Sequence, residues 1–241
     1  MKSRHFEYEA KVHKSYRQMK KAYEEIKDSY SEMIFRFALA AELKDESTGT
    51  HLVKLADYCT EIAQELGLSK IDTNYLRYAS PMHDIGKLIV PDAILKKEAG
   101  LTPEEREIIK KHSLLGADIF KGSRSPLLRA ARMISLTHHE RYDGTGYPQG
   151  LRGKEIPLFG RIVAVADVFD ALTSKRPYKE AYGFDEAIEI IKSASGKQFD
   201  PDIVKAFLKR KNKIKRIWQA TKDIELFLTE KSFEKTEKSQ E

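Results

Sequence analysis

The sequence has 241 residues, 41% of them hydrophobic and 33% charged, with a formal net charge of +6. This length and balance predict one large folded domain or two small ones, and the positive charge fits either an anionic partner or a chain that is simply soluble. No apolar run of about 18 residues predicts a membrane span, and the single cysteine, Cys59, excludes an internal disulfide framework and a cysteine-based zinc site.

The N-terminal segment, residues 1–35, begins without an apolar signal region, so we expect a cytoplasmic protein. Apolar residues then recur at alternating spacings of four and three, the heptad pattern of a coiled-coil seam. We predict a helix that serves as a dimerisation or signalling linker in a homodimer; the alternative is an amphipathic helix that packs on its own domain. The seam positions are Val12, Tyr16, Met19, Tyr23, Ile26, Tyr30, Met33 and Phe37.

Residues 36–212 are predicted to form one all-α domain, because few segments alternate as strands do. N-cap residues, prolines at first helical positions and closing glycines mark the helix ends, and the glycine-rich stretch 143–154 is predicted to be a loop. Residues 213–241 are predicted to form a C-terminal helix and a charged tail. The predicted helices run to Leu66, from Asp72 to Asp84, from Thr102 toward His112, from Pro126 to His139, over 160–171, from Asp185 to Ser195, and from Pro201 onward.

Histidines and acids in this domain form a pattern typical of a metal site. Each histidine alone would more often be structural, but neutral imidazole and carboxylate together are ligands that divalent metals prefer. Adjacent residues on a helix point about 100° apart, so both members of a neighbouring pair coordinate only beside two metals or a bridging position. Seven potential ligands exceed the need of one ion, and we predict two ions with a carboxylate such as Asp84 as bridge. The seven are His51, His83, Asp84, His112, His138, His139 and Asp167.

A two-metal centre with ions about 3.5–4 Å apart suits phosphoester hydrolysis, because the ions lower the pKa of a water molecule and neutralise phosphoryl oxygens. Lys87 lies four residues after His83 and could add a positive charge beside a phosphate. In another context Lys87 would be read as a surface lysine. The basic stretch 205–216 favours a solvated helix face over a nucleic-acid site, because no stacking aromatic residues are interleaved with its charges.

Five sequence strings, over residues 48–51, 83–95, 112–116, 138–148 and 161–179, resemble the HD-GYP family. Its members are bacterial cyclic-di-GMP phosphodiesterases within the HD phosphohydrolase superfamily. The resemblance extends from about Met33 to Phe207, and the tripeptide Gly146-Tyr147-Pro148 is the string that separates this subgroup from other HD hydrolases.

The resemblance implies an HD-type helical bundle around two or three ions, often iron or manganese. It implies that the seven residues above are the ligands, that Asp84 and Lys87 act in catalysis, and that Asp170 orients a ligating histidine. Family members with a third metal carry a glutamate at the position of Ser47, so we expect two metals here. The substrate contacts implied by the resemblance are Lys87, Asp143, Gly146, Tyr147, Pro148, Arg176 and Lys179.

The function implied is hydrolysis of cyclic-di-GMP to linear pGpG through a metal-activated hydroxide, with further cleavage to GMP left open. Two alternatives stay open. One is a sensor that binds a cyclic dinucleotide without hydrolysing it, and the other is a phosphohydrolase of a different nucleotide phosphoester.

Overall fold

The computed structural model describes residues 2–45, 50–97, 99–175 and 180–220. Ser47, Arg176 and Lys179 lie outside these ranges, so the predictions made for them are not addressed by the structure. Within the described ranges the chain forms helices and short 3-10 segments and no named β-strand, and the predicted all-α class is confirmed. No helix of the described part combines the length and apolar character that a membrane span requires.

The helices are listed in chain order. They are α1 (Lys2–Glu42), α2 (Thr50–Glu65), α3 (Lys70–Ala79), α4 (Asp92–Leu95), α5 (Pro103–Lys110), α6 (His112–Ile119), α7 (Pro126–Thr137), α8 (Leu158–Thr173), α9 (Phe184–Ser193) and α10 (Pro201–Lys209). Short 3-10 segments cover Leu43–Asp45, Ser80–Met82, Ile85–Ile89 and Gly153–Glu155, and residues 211–220 are helical.

Two compact units divide after Phe37. In the first unit, the eight predicted seam residues of α1 are all exposed, from 42% for Tyr30 to 69% for Ile26. Since these residues lie four and three apart along the helix, they form a continuous apolar stripe on one face of it. We call these eight residues the α1 seam.

The second unit has α2 and α8 at its centre. Helix α8 is apolar on nearly all sides, as expected for a helix surrounded by other helices. It packs against α2, α7, α9 and α10. Phe169 of α8 contacts Tyr58 of α2 edge-to-face at 5.3 Å between ring centroids, and Phe207 of α10 at 5.0 Å. Because this packed core surrounds α2, α7 and α8, polar side chains on these helices have fixed positions.

The predicted helix from Asp72 to Asp84 is wrong at both ends. Helix α3 begins after Ser69, whose hydroxyl accepts the N–H of Asp72, and it ends at Ala79. Proline cannot continue a helical hydrogen-bond ladder, and Pro81 therefore converts the next turn to the 3-10 segment Ser80–Met82. As a result, His83 and Asp84 lie in a turn between two 3-10 segments and not on an α-helix.

Several other helix ends agree with the sequence signals. The side chain of Thr102 accepts the N–H of Glu105 at 3.3 Å and Glu105 accepts that of Thr102 at 2.9 Å, which is the predicted capping box. Helix α7 begins at Pro126 as predicted. For α9, Asp185 was expected as the cap, but the helix begins one residue earlier, after Gly183, and Asp185 lies in its first turn.

Candidate metal centre

Seven side chains converge from five parts of the second unit: α2, the turn after α3, the start of α6, the end of α7, and α8. They form two sets, and within each set one ligand atom per residue lies within 4.8 Å of the others. We call the larger one the Asp84 set and the smaller one the His51 set. The Asp84 set contains Asp84, His112, His138 and His139, and the His51 set contains His51, His83 and Asp167.

A close backbone contact places Asp84 against His112. A Cβ atom on Gly86 would overlap with the carbonyl oxygen of His112, so that only glycine lets the turn pack directly on the start of α6. Ser135 of α7 fixes the same turn from another side, because its hydroxyl donates toward the carbonyl oxygens of Met82 and His83 at 3.0 and 3.1 Å. The role of Ser135 could not be recognised from the sequence, since a serine within a helix carries no distinctive signal.

The carboxylate of Asp84 lies between the two sets. Its Oδ1 is 3.1 Å from His112 Nε2 and 3.4 Å from His138 Nε2. Its Oδ2 is 3.3 Å from His83 Nε2 and 2.8 Å from Lys87 Nζ. Each oxygen of Asp84 therefore faces one set.

Two buried polar atoms in this centre have no hydrogen-bond partner among the residues that the structure describes: Asp84 Oδ1 and His83 Nε2. Leaving a buried polar atom unpaired is unfavourable, and such atoms usually have a ligand or an ion as partner. Both atoms point to the place where the donor groups converge, so the residues present fit a metal centre.

Backbone carbonyl groups orient three of the histidines. The Nδ1 atoms of His83, His112 and His138 lie at 3.0 Å from Ser80 O, 2.7 Å from Ile109 O and 3.0 Å from Ser135 O. A carbonyl oxygen can only accept, so these contacts require the proton on Nδ1. In the neutral form of each ring, Nε2 then carries the lone pair that can bind a cation, as in known metal-ligating histidines.

A side chain orients His51 instead. Its Nδ1 lies 2.6 Å from Asp170 Oδ2, the partner expected for Asp170, and its Nε2 lies 3.8 Å from Asp167 Oδ1. Asp170 is buried and also contacts Lys54 Nζ at 3.1 Å and Ser174 Oγ at 3.2 Å. The orientation of His51 therefore depends on a network of buried side chains.

Electrostatics in the centre favours cation binding by three of its donors. Burial lowers the pKa of both His138 and His139, which keeps these rings neutral. Burial would raise the pKa of Asp84, but Lys87 and the neighbouring histidines outweigh it and lower that pKa well below the usual range. Burial would likewise lower the pKa of His83, but Asp84 and Asp167 raise it to about 9. Binding of a metal by His83 at neutral pH would therefore release a proton.

The loop 143–154 lies beside His139. The ring of Tyr147 stacks on that of His139 with 4.8 Å between centroids, and the Tyr147–Pro148 peptide bond is cis. Asp143, expected to contact substrate, uses Oδ1 to accept the N–H and hydroxyl of Thr145 at 3.0 and 2.6 Å. Its carboxylate thus stabilises the turn, and its predicted contact with substrate stays a prediction.

Comparison with known proteins places these observations in a family. A family model described as HD domain matches residues 36–203. A cyclic di-GMP phosphodiesterase of Thermotoga maritima is 45% identical over 185 residues, 77% of this chain and 50% of the relative. The 3′3′-cGAMP-specific phosphodiesterase 2 of Vibrio cholerae is 40% identical over 177 residues, 73% of this chain and 34% of the relative. The chain thus spans half or less of the length of these curated relatives.

Solved structures agree on the fold. A cyclic GMP-AMP-specific phosphodiesterase of Vibrio cholerae superimposes with a TM-score of 0.55 at 21% identity, over 78% of this chain and 52% of the other. An HDG"Y"P protein of Bdellovibrio bacteriovorus superimposes with a TM-score of 0.52 at 23% identity, over 65% of this chain and 50% of the other. The chain belongs to the HD domain family, and its predicted resemblance to the HD-GYP members of that family is confirmed.

Proposed function

We propose that this chain hydrolyses a phosphodiester bond of a cyclic dinucleotide, with cyclic-di-GMP as substrate and linear pGpG as product. The observation that carries the proposal is the position of Asp84, whose two carboxylate oxygens face the two ligand sets separately. This arrangement suits two ions side by side, and two-metal sites are typical of phosphoester hydrolases. The name of the Thermotoga maritima relative supports cyclic-di-GMP as the substrate.

The donor atoms indicate which cations the centre would hold. All seven ligands offer imidazole nitrogen or carboxylate oxygen and none offers a thiolate, which suits iron or manganese. We propose two ions, one in each set, with Asp84 shared. When bound, they would lower the pKa of a water molecule and withdraw charge from the phosphoryl oxygens.

Lys87 is proposed to act on the substrate phosphate. Its ammonium group lies 2.8 Å from Asp84 Oδ2, and its side chain is 17% exposed, so it lies at the edge of the centre and within reach of a ligand. Hydrolysis joins a water oxygen to phosphorus and releases the 3′-oxygen, which needs a proton. Lys87 is placed to neutralise the phosphate and is our candidate for the donor of that proton. Arg176 and Lys179 are proposed as further phosphate contacts on the strength of the family motif alone.

The test combines metal content with turnover. The protein is purified without oxygen in the presence of iron or manganese, and we expect about two ions per chain together with conversion of cyclic-di-GMP to pGpG. Lys87→Met should keep the metal and lose most of the turnover, whereas Lys121→Met, which removes an exposed lysine on the same unit, should change neither. Full metal occupancy without turnover would contradict the enzymatic proposal, and binding of intact cyclic-di-GMP in that case would favour the sensor.

A second candidate substrate follows from the relatives named as 3′3′-cGAMP-specific phosphodiesterases. A panel of cyclic-di-GMP, 3′3′-cGAMP, cyclic-di-AMP and pGpG would separate the two. We expect the highest kcat/KM for cyclic-di-GMP. A higher value for 3′3′-cGAMP would keep the reaction class and replace the substrate.

We also propose that the chain forms a homodimer through the α1 seam. An exposed apolar stripe with heptad spacing is typical of a helix that pairs with another helix. Ile26→Glu in the full chain places a charge in the seam and should convert the dimer to a monomer in analytical ultracentrifugation. Lys20→Glu, which changes an exposed residue off the seam, is the matched control. A dimer that survives Ile26→Glu would place the interface elsewhere.

The expected cytoplasmic location stays a prediction.

A further inference from the structure

Glu140 directly follows the histidine pair at the end of α7, and only 3% of its surface is exposed. Its Oε1 accepts the backbone N–H of Gln149 at 2.7 Å, and its Oε2 accepts that of Leu151 at 3.0 Å. Hydrogen bonds from N–H groups to a carboxylate are among the stronger ones in proteins. Glu140 lies outside both ligand sets, and both of its oxygens are engaged by the loop.

The same loop contacts the backbone of Glu140 on its other side. A Cβ atom on Gly146 would lie 2.6 Å from the Cα of Glu140 and would overlap with the amide nitrogen of Arg141. Only glycine allows this approach. The next residue, Tyr147, donates its backbone N–H to the carbonyl oxygen of His139 at 3.3 Å and stacks its ring on the imidazole.

Tyr147 is therefore fixed on both sides. Before it, Gly146 packs on the backbone of Glu140. After it, the Glu140 carboxylate holds two amide groups. The loop has no α-helix or strand of its own over residues 143–152, so these contacts replace the support that secondary structure would give.

We propose that Glu140 is a positioning residue that holds residues 146–151 so that the Tyr147 ring covers His139 and forms one wall of the substrate site. The kinetic part of this inference rests on the proposed function. A loop that is ordered before the substrate binds does not lose conformational freedom on binding. We therefore expect the order of this loop to increase the affinity for substrate. Glu140 itself would touch neither substrate nor metal.

Its test is Glu140→Gln, which keeps the shape of the side chain but turns an amide NH₂ toward one of the two N–H donors. We expect KM for cyclic-di-GMP to rise about tenfold, the effect of losing one charge-assisted hydrogen bond, with kcat within about threefold of wild type. Metal content should stay unchanged. Hydrogen exchange of peptides that contain Gln149 and Leu151 should be about tenfold faster or more, because the amides open more often.

Glu155→Gln is the matched control. Glu155 accepts the N–H of Arg152 at 2.9 Å, directly after the loop, and it is exposed. Its KM and the exchange at Gln149 and Leu151 should stay within about twofold of wild type, as expected for an exposed substitution. Glu140→Ala, which removes both acceptors, should raise KM further than Glu140→Gln while keeping metal content, provided that its melting temperature shows a folded protein.

The outcomes separate this inference from the proposed function. Faster exchange in Glu140→Gln with an unchanged KM would overturn the positioning role, and so would loss of metal from that variant. If wild type does not turn over cyclic-di-GMP, the proposed function fails, and calorimetric binding of the same dinucleotide then tests the inference. A Kd that weakens about tenfold in Glu140→Gln supports it, and an unchanged Kd overturns it.

Discussion

The two ligand sets differ in whether a histidine depends on another side chain for its orientation. In the Asp84 set, His112 and His138 direct Nδ1 to backbone carbonyl groups. Because these acceptors belong to the main chain, a side-chain substitution at the same residue does not remove them. In the His51 set, His83 also directs Nδ1 to a carbonyl group, but His51 depends on the side chain of Asp170. Asp170 in turn contacts Lys54 and Ser174. Backbone carbonyl groups thus provide one mode of orientation and a buried ionic network the other.

This difference predicts unequal sensitivity to mutation. A site oriented by the backbone should tolerate changes around it, because the carbonyl groups stay in place as long as the helix folds. A site oriented by a carboxylate should lose affinity when that one group changes, since outer partners of ligating histidines typically contribute 10–100-fold in metal affinity. The four substitutions below test this contrast.

Asp84→Ala should have the largest effect, because it removes the carboxylate that we propose as the bridge between the two sets. We expect metal content to fall from about two ions per chain to well under one, with loss of turnover. Elemental analysis and a cyclic-di-GMP assay check this. Asp92→Ala, which removes an exposed carboxylate eight residues away, is the control. Retention of one full ion by Asp84→Ala would mean that Asp84 does not bridge.

Asp170→Asn should weaken only the His51 set. The amide keeps the shape of the side chain but no longer attracts the imidazole N–H as a carboxylate does, and we expect about 10–100-fold lower affinity for one ion. The other ion should bind as in wild type, which metal titration monitored by calorimetry would show as one weakened step of two. The exposed substitution Asp118→Asn should leave both steps unchanged. Equal weakening of both steps would refute the contrast.

Asp200→Asn tests whether loss of any buried carboxylate would mimic that result. Burial would raise the pKa of Asp200, but hydrogen bonds from Lys154 and Arg161 outweigh it and lower the pKa below the ordinary 3.8. A lowered pKa means that the ionised form stabilises the fold above about pH 4 and that this contribution disappears as the pH falls through the folded-state pKa.

For this variant we expect about 1–3 kcal/mol less stability at pH 7, the cost of weakening a buried charged hydrogen-bond network. The difference from wild type should shrink below pH 4, as urea unfolding at both pH values would show. Metal affinity should stay within about twofold, since Asp200 lies outside both sets. The exposed Asp202→Asn is the control. A large loss of metal affinity would instead attribute the Asp170 effect to general destabilisation.

Ser135→Ala should have the smallest effect. It removes the hydroxyl that donates toward the carbonyl oxygens of Met82 and His83, and with it a side-chain contact that stabilises the turn beside the Asp84 set. The loss of a neutral hydrogen bond costs about 0.5–1.5 kcal/mol of folding stability. Because the Ser135 hydroxyl bonds backbone carbonyl groups and no ligand side chain, this cost should be nearly the same with and without metal, and metal affinity should change less than about threefold. A tenfold loss in the same titration would show that the Asp84 set also depends on side chains.

Much of this centre could be predicted from sequence because its ligands lie in short linear strings. A histidine pair at a helix end and a His-Asp pair are visible without knowledge of the fold, and all seven predicted ligands converge. The division into two sets could not be predicted. It depends on the turn at His83 and Asp84, which the helical pattern concealed because Pro81 acts on hydrogen bonds and not on hydrophobic spacing.

Contacts between distant parts of the chain were also invisible in the sequence. The pairing of Lys154 with Asp200, 46 residues apart, leaves no local signal. Glu140 is visible in the sequence as a carboxylate between the histidine pair and a glycine-rich loop. Beside a predicted metal site, however, such a carboxylate suggests a metal ligand, and its contact with the loop could not be inferred. The candidate ligands were thus visible in the sequence, whereas the groups that support them depend on the fold.

The close contact between Gly86 and His112 affects which sizes of ion the Asp84 set can accept. Because the backbone of Gly86 lies directly on that of His112, no side-chain rotamer between them can widen the space between Asp84 and His112. A larger cation would have to displace main chain in this set, whereas around His51 it could displace side chains. We therefore expect the Asp84 set to distinguish more strongly between ions of unlike size. Competition of Mg²⁺ and Ca²⁺ for each step of the manganese titration would measure this difference.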